Sequence, residues 1–125
     1  MTRFDVASLT IEGLLERYAQ LSIRQGAAAD LVKTSLVNRL GDQIYEISKE
    51  LKRRPDDRGR ALMKLFDHPN VQVRLNAARS LMSVFPEEAR QQIQAIANSG
   101  SYPQSIDAGL YLSSLDGELS DLLRR

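Results

Sequence analysis

The chain has 125 residues, 42% of them apolar and 26% charged, and its 17 basic and 16 acidic side chains leave a net charge of +1. Those values describe one ordinary globular domain rather than a disordered tail or a polyelectrolyte. With no cysteine and a single histidine, His68, the chain cannot by itself form disulfides, thiolate or imidazole metal clusters, or a thiol-based active site.

No apolar run approaches the roughly 20 residues that a bilayer crossing needs. The N-terminal stretch carries Asp5, Glu12 and Glu16 where a secretory signal requires an unbroken apolar segment. Both features predict a cytoplasmic protein with no membrane contact. Charge is spread evenly, with nine basic and seven acidic residues before Pro55 and eight and nine from it onward. That balance, together with the absence of tryptophan, disfavours a nucleic-acid partner, which calls for a basic face and stacking groups.

In chain order, Ile11, Leu14, Leu15, Tyr18 and Leu21 recur at spacings of three and four and predict a first helix. Thr10 is its expected N-cap and Gly26 its expected end. A second helix is expected to start near Asp30. It carries the stripe Leu31, Leu36, Leu40, Ile44, Ile47 and Leu51 and runs to Lys52-Arg53-Arg54, before Pro55 blocks its continuation. Two helices of this length predict an antiparallel hairpin over residues 1–54.

From Pro55 a 31-residue register appears. Pro55-Asp56-Asp57 returns as Pro86-Glu87-Glu88, Leu62 and Leu65 return as Ile93 and Ile96, and Leu75, Ala77 and Leu81 return as Ile106, Ala108 and Leu112. Only four of the 31 aligned positions are identical, so the signal lies in retained roles rather than identity. Each unit, 55–85 and 86–116, reads as a helix-opening proline with two acids, a helix, a turn-rich loop and a second helix. Residues 117–125 are left as a C-terminal cap or tail.

The stretch from Leu65 to Leu81 resembles a HEAT repeat, in its Asp67-His68-Pro69-Asn70 turn, its Val73-Arg74 pair, and the small residues Ala77 and Ala78 followed by Leu81. That resemblance implies an ion pair between Asp67 and Arg74. The 31-residue period is shorter than the usual HEAT length of about 40 to 47 residues, so the expected fold is all-α, a short HEAT-like solenoid of about three antiparallel helical hairpins. Over its whole length the chain is similar to a bacterial family of short HEAT-like proteins of unknown function. The similarity rests on Asn38-Arg39-Leu40, the 67–74 motif and Ile106-Asp107-Ala108-Gly109.

The candidate chemical groups have simpler structural readings. The acid pairs Asp56/Asp57 and Glu87/Glu88 follow helix-opening prolines, where the helix dipole stabilises negative charge. His68 lies in a turn without an evident nucleophile beside it. The basic cluster Lys52-Arg53-Arg54 with Arg58 and Arg60 encloses Asp56 and Asp57 and reads as a solvated helix end. No glycine-rich phosphate loop or nucleophile elbow is present. The sequence therefore implies no enzyme, cofactor or metal. It suggests a protein-binding module whose second helices present Asn38, Arg39, Asp42, Asn76, Arg79, Asp107 and Tyr111. A dedicated inhibitor or immunity-type protein is the alternative, followed by a HEAT-like nucleic-acid binder.

Overall fold

In the computed structural model, residues 5–117 are described. They form five α-helices and two 3₁₀ helices, with no strand among the described residues. A short 3₁₀ turn, Val6–Ser8, precedes α1 (Ile11–Asp30) and α2 (Thr34–Arg53). A 3₁₀ helix, Arg60–Asp67, leads into α3 (Val71–Leu81), and α4 (Pro86–Asn98) is followed by α5 (Gln104–Leu115). Successive pairs form three hairpins: α1 with α2, the Arg60–Asp67 helix with α3, and α4 with α5. The all-helical hairpin architecture expected from the apolar spacing is the one observed. No helix among the described residues is long and apolar enough to cross a membrane.

Several boundaries differ from the sequence expectation, each for a physical reason. Gly26 lies inside α1, and a Cβ there would come within 3.3 Å of the Gln72 side chain. Its role is close approach of α1 to α3 rather than termination. The helix instead ends past Asp30, with Val32 at φ 55° in the turn. Leu31 therefore belongs to the turn, exposed, and not to the α2 stripe. Pro55 opens no helix. It starts a run of turns through Arg58 (φ 55°) and Gly59 (φ 89°), and Asp57 accepts a hydrogen bond from the Ala61 amide at 3.1 Å. At Gly59 an added Cβ would also crowd Lys52 Cγ at 3.1 Å. Only in the second unit does the proline open a helix, with Glu87 and Glu88 in the first turn of α4. The tail beyond Gly117 lies outside the described residues.

The core has two parts that meet at α3. Leu14, Tyr18, Leu40, Ile47, Leu51 and Leu62 pack with Val73, Ala77 and Leu81 in the larger cluster. Leu75 and Ala78 face the other way, onto Ile93, Ile96, Ala108 and Leu112. Ala77 and Ala108 are both fully buried, so the helices approach closely at these small residues. Most repeat-related pairs share their burial, as Leu62/Ile93 and Leu65/Ile96 do. Leu75 and Ile106 do not: Leu75 is 1% exposed and Ile106 is 53% exposed. Leu75 is covered by the α4–α5 hairpin, whereas no described element covers the equivalent side of α5.

Candidate functional site

The 67–74 loop is built by local hydrogen bonds. Asn70 caps α3 through its side chain, accepting from the Val73 amide at 3.1 Å. His68 Nδ1 accepts from the Asn70 amide at 3.0 Å, which uses that nitrogen for the turn. Arg74 does not pair with Asp67. Its Nη1 donates to the carbonyls of His68 and Pro69 at 2.7 and 3.1 Å. The HEAT-implied contact is thus replaced by a guanidinium that satisfies the loop backbone.

α2 and α3 both pack on α1 but make little contact with each other. The space between them is an open groove with a cavity volume of about 560 Å³. One wall is the α2 row Gly41, Tyr45, Ser48 and Lys52, spaced at three and four residues and so on one helix face. The other is the α3 row Asn76, Arg79, Ser80 and Ser83. Tyr18 and Gln25 of α1 contribute to the floor, and Tyr111 of α5 adds to the rim.

The floor is tied together by neutral hydrogen bonds. The Tyr18 and Ser80 hydroxyls are 2.6 Å apart. Burial pushes the Tyr18 phenol's pKa well above its ordinary value, against the smaller opposing effects of the Ser80 hydrogen bond and the Arg79 charge. Asn76 Nδ2 donates to Ser22 Oγ and Gln25 Oε1 at 3.0 and 2.9 Å, and its Oδ1 accepts from Gln72 Nε2 at 3.0 Å. Gln104 of α5 donates to Gln72 at 3.0 Å, and Gln25 donates to the Val37 carbonyl of α2 at 3.3 Å. The relay joins four α-helices.

Two cations stand on the groove walls. Lys52 Nζ donates to Ser83 Oγ at 3.1 Å, and its burial lowers the ammonium's pKa. The Arg79 guanidinium lies 5.0 Å from the centre of the Tyr111 ring, within cation–π range. Among the described residues no carboxylate lines the groove, and neither cation has an acid at ion-pair distance. A neighbouring depression of about 680 Å³, lined by residues 55–58 with Arg60 and residues 83–85, carries both signs of charge. Arg60 there sits 4.9 Å over the Phe85 ring.

Of the sequence-predicted face, the structure brings Asn76, Arg79 and Tyr111 together at this groove. Asn38, Arg39 and Asp42 are exposed on α2 outside it, and Asp107 is exposed in the first turn of α5. The basic cluster is also divided: Lys52 turns to the groove while Arg53 and Arg54 bind the buried Glu50. Sequence reasoning did not place Tyr45, Ser48 and Lys52 on one binding face. Their signal was the row at 41, 45, 48 and 52, running beside the apolar stripe of the same helix.

Residues 12–116 match the model of the family described as Domain of unknown function (DUF2019). The chain belongs to this family. Among solved structures it is similar to the protein RPA1889 from Rhodopseudomonas palustris CGA009, known from a crystal structure. The two are 39% identical, with a TM-score of 0.84 over 91% of this chain and 94% of that one. No curated protein matches the chain.

Proposed function

We propose that this DUF2019 protein is a non-enzymatic interaction module of HEAT-like build, acting in the bacterial cytoplasm, that binds a protein partner through the groove between α2 and α3. The HEAT-like description rests on the repeated hairpins and on the buried alanines at equivalent positions, Ala77 and Ala108. A cysteine-free chain fits a reducing compartment.

The observation that carries the binding reading is the composition of the groove. It is open, draws on the second helix of all three hairpins, and places Tyr45, Arg79 and Tyr111 at its walls and rim. Tyrosine and arginine are the residue types over-represented where interfaces concentrate their energy. Stacked helical hairpins supply such continuous surfaces from consecutive units.

The test is affinity capture from native lysate with the parent chain, Tyr45→Ala and Arg79→Ala, read by quantitative mass spectrometry. Both variants are expected to melt within a few degrees of the parent and to lose the same partner by about tenfold or more. Full recovery by both variants places the interface elsewhere and overturns the reading. One dominant partner, rather than several, identifies the dedicated-inhibitor form of the same proposal.

A further inference from the structure

We infer that the occupant of the α2–α3 groove is an extended peptide segment bearing acidic side chains, seated between Lys52 and Arg79; this rests on the groove reading above and specifies its ligand. Charge complementarity selects this occupant. Lys52 and Arg79 face a space lined by hydroxyls, amides, aromatic rings and the apolar side chains of Ile44 and Met82 and, among the described residues, by no carboxylate. Four cations elsewhere have an acid at hand: Lys49 pairs with Glu46 at 3.0 Å, Arg53 and Arg54 with Glu50, and Arg90 with Asp116 at 2.6 Å, whereas Arg74 is satisfied by the backbone carbonyls of its own loop. Among the described residues the two groove cations contact a serine hydroxyl and a tyrosine ring.

The spacing suits more than one acidic group. Lys52 reaches α3 at Ser83, four residues and about one helical turn along from the position that carries Arg79. Carboxylates two residues apart on an extended chain share a face and span a comparable length, about 6.5–7 Å. Burial already weighs against the Lys52 ammonium, so an incoming carboxylate gains an interaction less screened than one on the open surface. Tyr45 and Tyr111 offer faces and edges for the apolar parts of such a segment. A single-stranded nucleic acid also combines anions with stacking groups, but it is held through a longer track of basic residues. Here there are two cations, on a chain of net charge +1.

The experiment selects short random peptides from a display library on the immobilised full chain at about 150 mM salt, near physiological ionic strength. The selected peptides are then measured by fluorescence anisotropy. Acidic sequences are expected to dominate. Lys52→Gln and Arg79→Gln should each weaken them by about tenfold or more, with melting temperatures close to the parent. A Lys52→Glu/Arg79→Glu chain should change its preference to basic peptides. Non-acidic selected peptides that still depend on Tyr45 overturn the inference and leave the groove reading standing. Peptides insensitive to every groove variant, or no selected peptide at all, overturn the inference, and insensitivity also removes the groove reading. Tighter binding of oligothymidine than of the best peptide at the same salt assigns the groove to nucleic acid instead.

Discussion

Asn76 is the hub of the hydrogen-bond relay, and its replacement gives the sharpest test of how the hairpins are joined. Three hydrogen bonds converge on its amide, from Gln72 and to Ser22 and Gln25, and Ser22 is fully buried. Asn76→Ala removes all three and strands polar groups in places with little access to water. At about 1 kcal/mol net for each hydrogen bond, and more where a buried partner stays unsatisfied, the expected loss is about 2–4 kcal/mol. Urea titration should show a lower midpoint with an unchanged slope, because the folded state stays as compact. Asn76→Asp separates shape from hydrogen bonding: it keeps an acceptor for Gln72 but, when ionised, has no donor for Ser22 or Gln25. Its folded-state pKa should be raised, so its stability deficit is greatest at neutral pH and shrinks as pH falls and the carboxyl becomes a donor. If Asn76→Ala unfolds within about 0.5 kcal/mol of the parent, the range typical of surface substitutions, water replaces these bonds and the relay does not hold the hairpins.

Ala77→Leu and Ala108→Leu should each cost about 1–3 kcal/mol by overpacking the helix contacts, checked by urea titration; parent-like stability in both would refute the close approach. Glu50 is 6% exposed, and hydrogen bonds from Arg53 and Arg54 hold its carboxyl pKa below the usual range. A depressed folded-state pKa gives stability that is present above the unfolded pKa and lost as pH falls through the folded one. Parent and Glu50→Gln melting curves should therefore converge on acidification, and a constant gap between them would show that the ion pairs contribute no pH dependence.

The fold was legible where burial is one-sided. The stripe Leu40, Ile44, Ile47 and Leu51 belongs to a helix with one buried face, and those four side chains are all buried. Boundaries were less legible because they depend on tertiary neighbours. Gly26 reads as a breaker until the Gln72 side chain is seen against it, and Pro55 reads as a helix start until the chain turns through Gly59. Leu75 and Ile106 share a register position but not an environment, since only one of them has a hairpin stacked on it. At the candidate site, Arg79 and Tyr111 were readable as a pair because the repeat register puts them on neighbouring helices. The α2 wall was not, because which flank of α2 faces α3 depends on how both helices sit on α1.

That arrangement also explains why the groove stays open and carries polar side chains on its walls. α2 commits its apolar stripe to the core it shares with α1, and α3 divides its apolar residues between α1 on one side and the α4–α5 hairpin on the other. Neither helix has a full apolar row left for the other, so the facing rows mix serines, an asparagine, Tyr45 and two long cations with the flanks of Ile44 and Met82. Stability alone would favour closing such a gap with packed apolar side chains, each contributing about 1.5–3 kcal/mol on full burial, or pairing Lys52 with an acid at position 48 or 83. Both positions are serines, whose hydroxyls carry no charge to neutralise the lysine, although Ser83 accepts a hydrogen bond from it. The Asn76 relay then fixes the spacing of the helices that carry the two walls. The groove is therefore hydrogen-bonded across its base and open above, so that a segment bound there, as proposed, would lose little of its interaction energy to reordering the site.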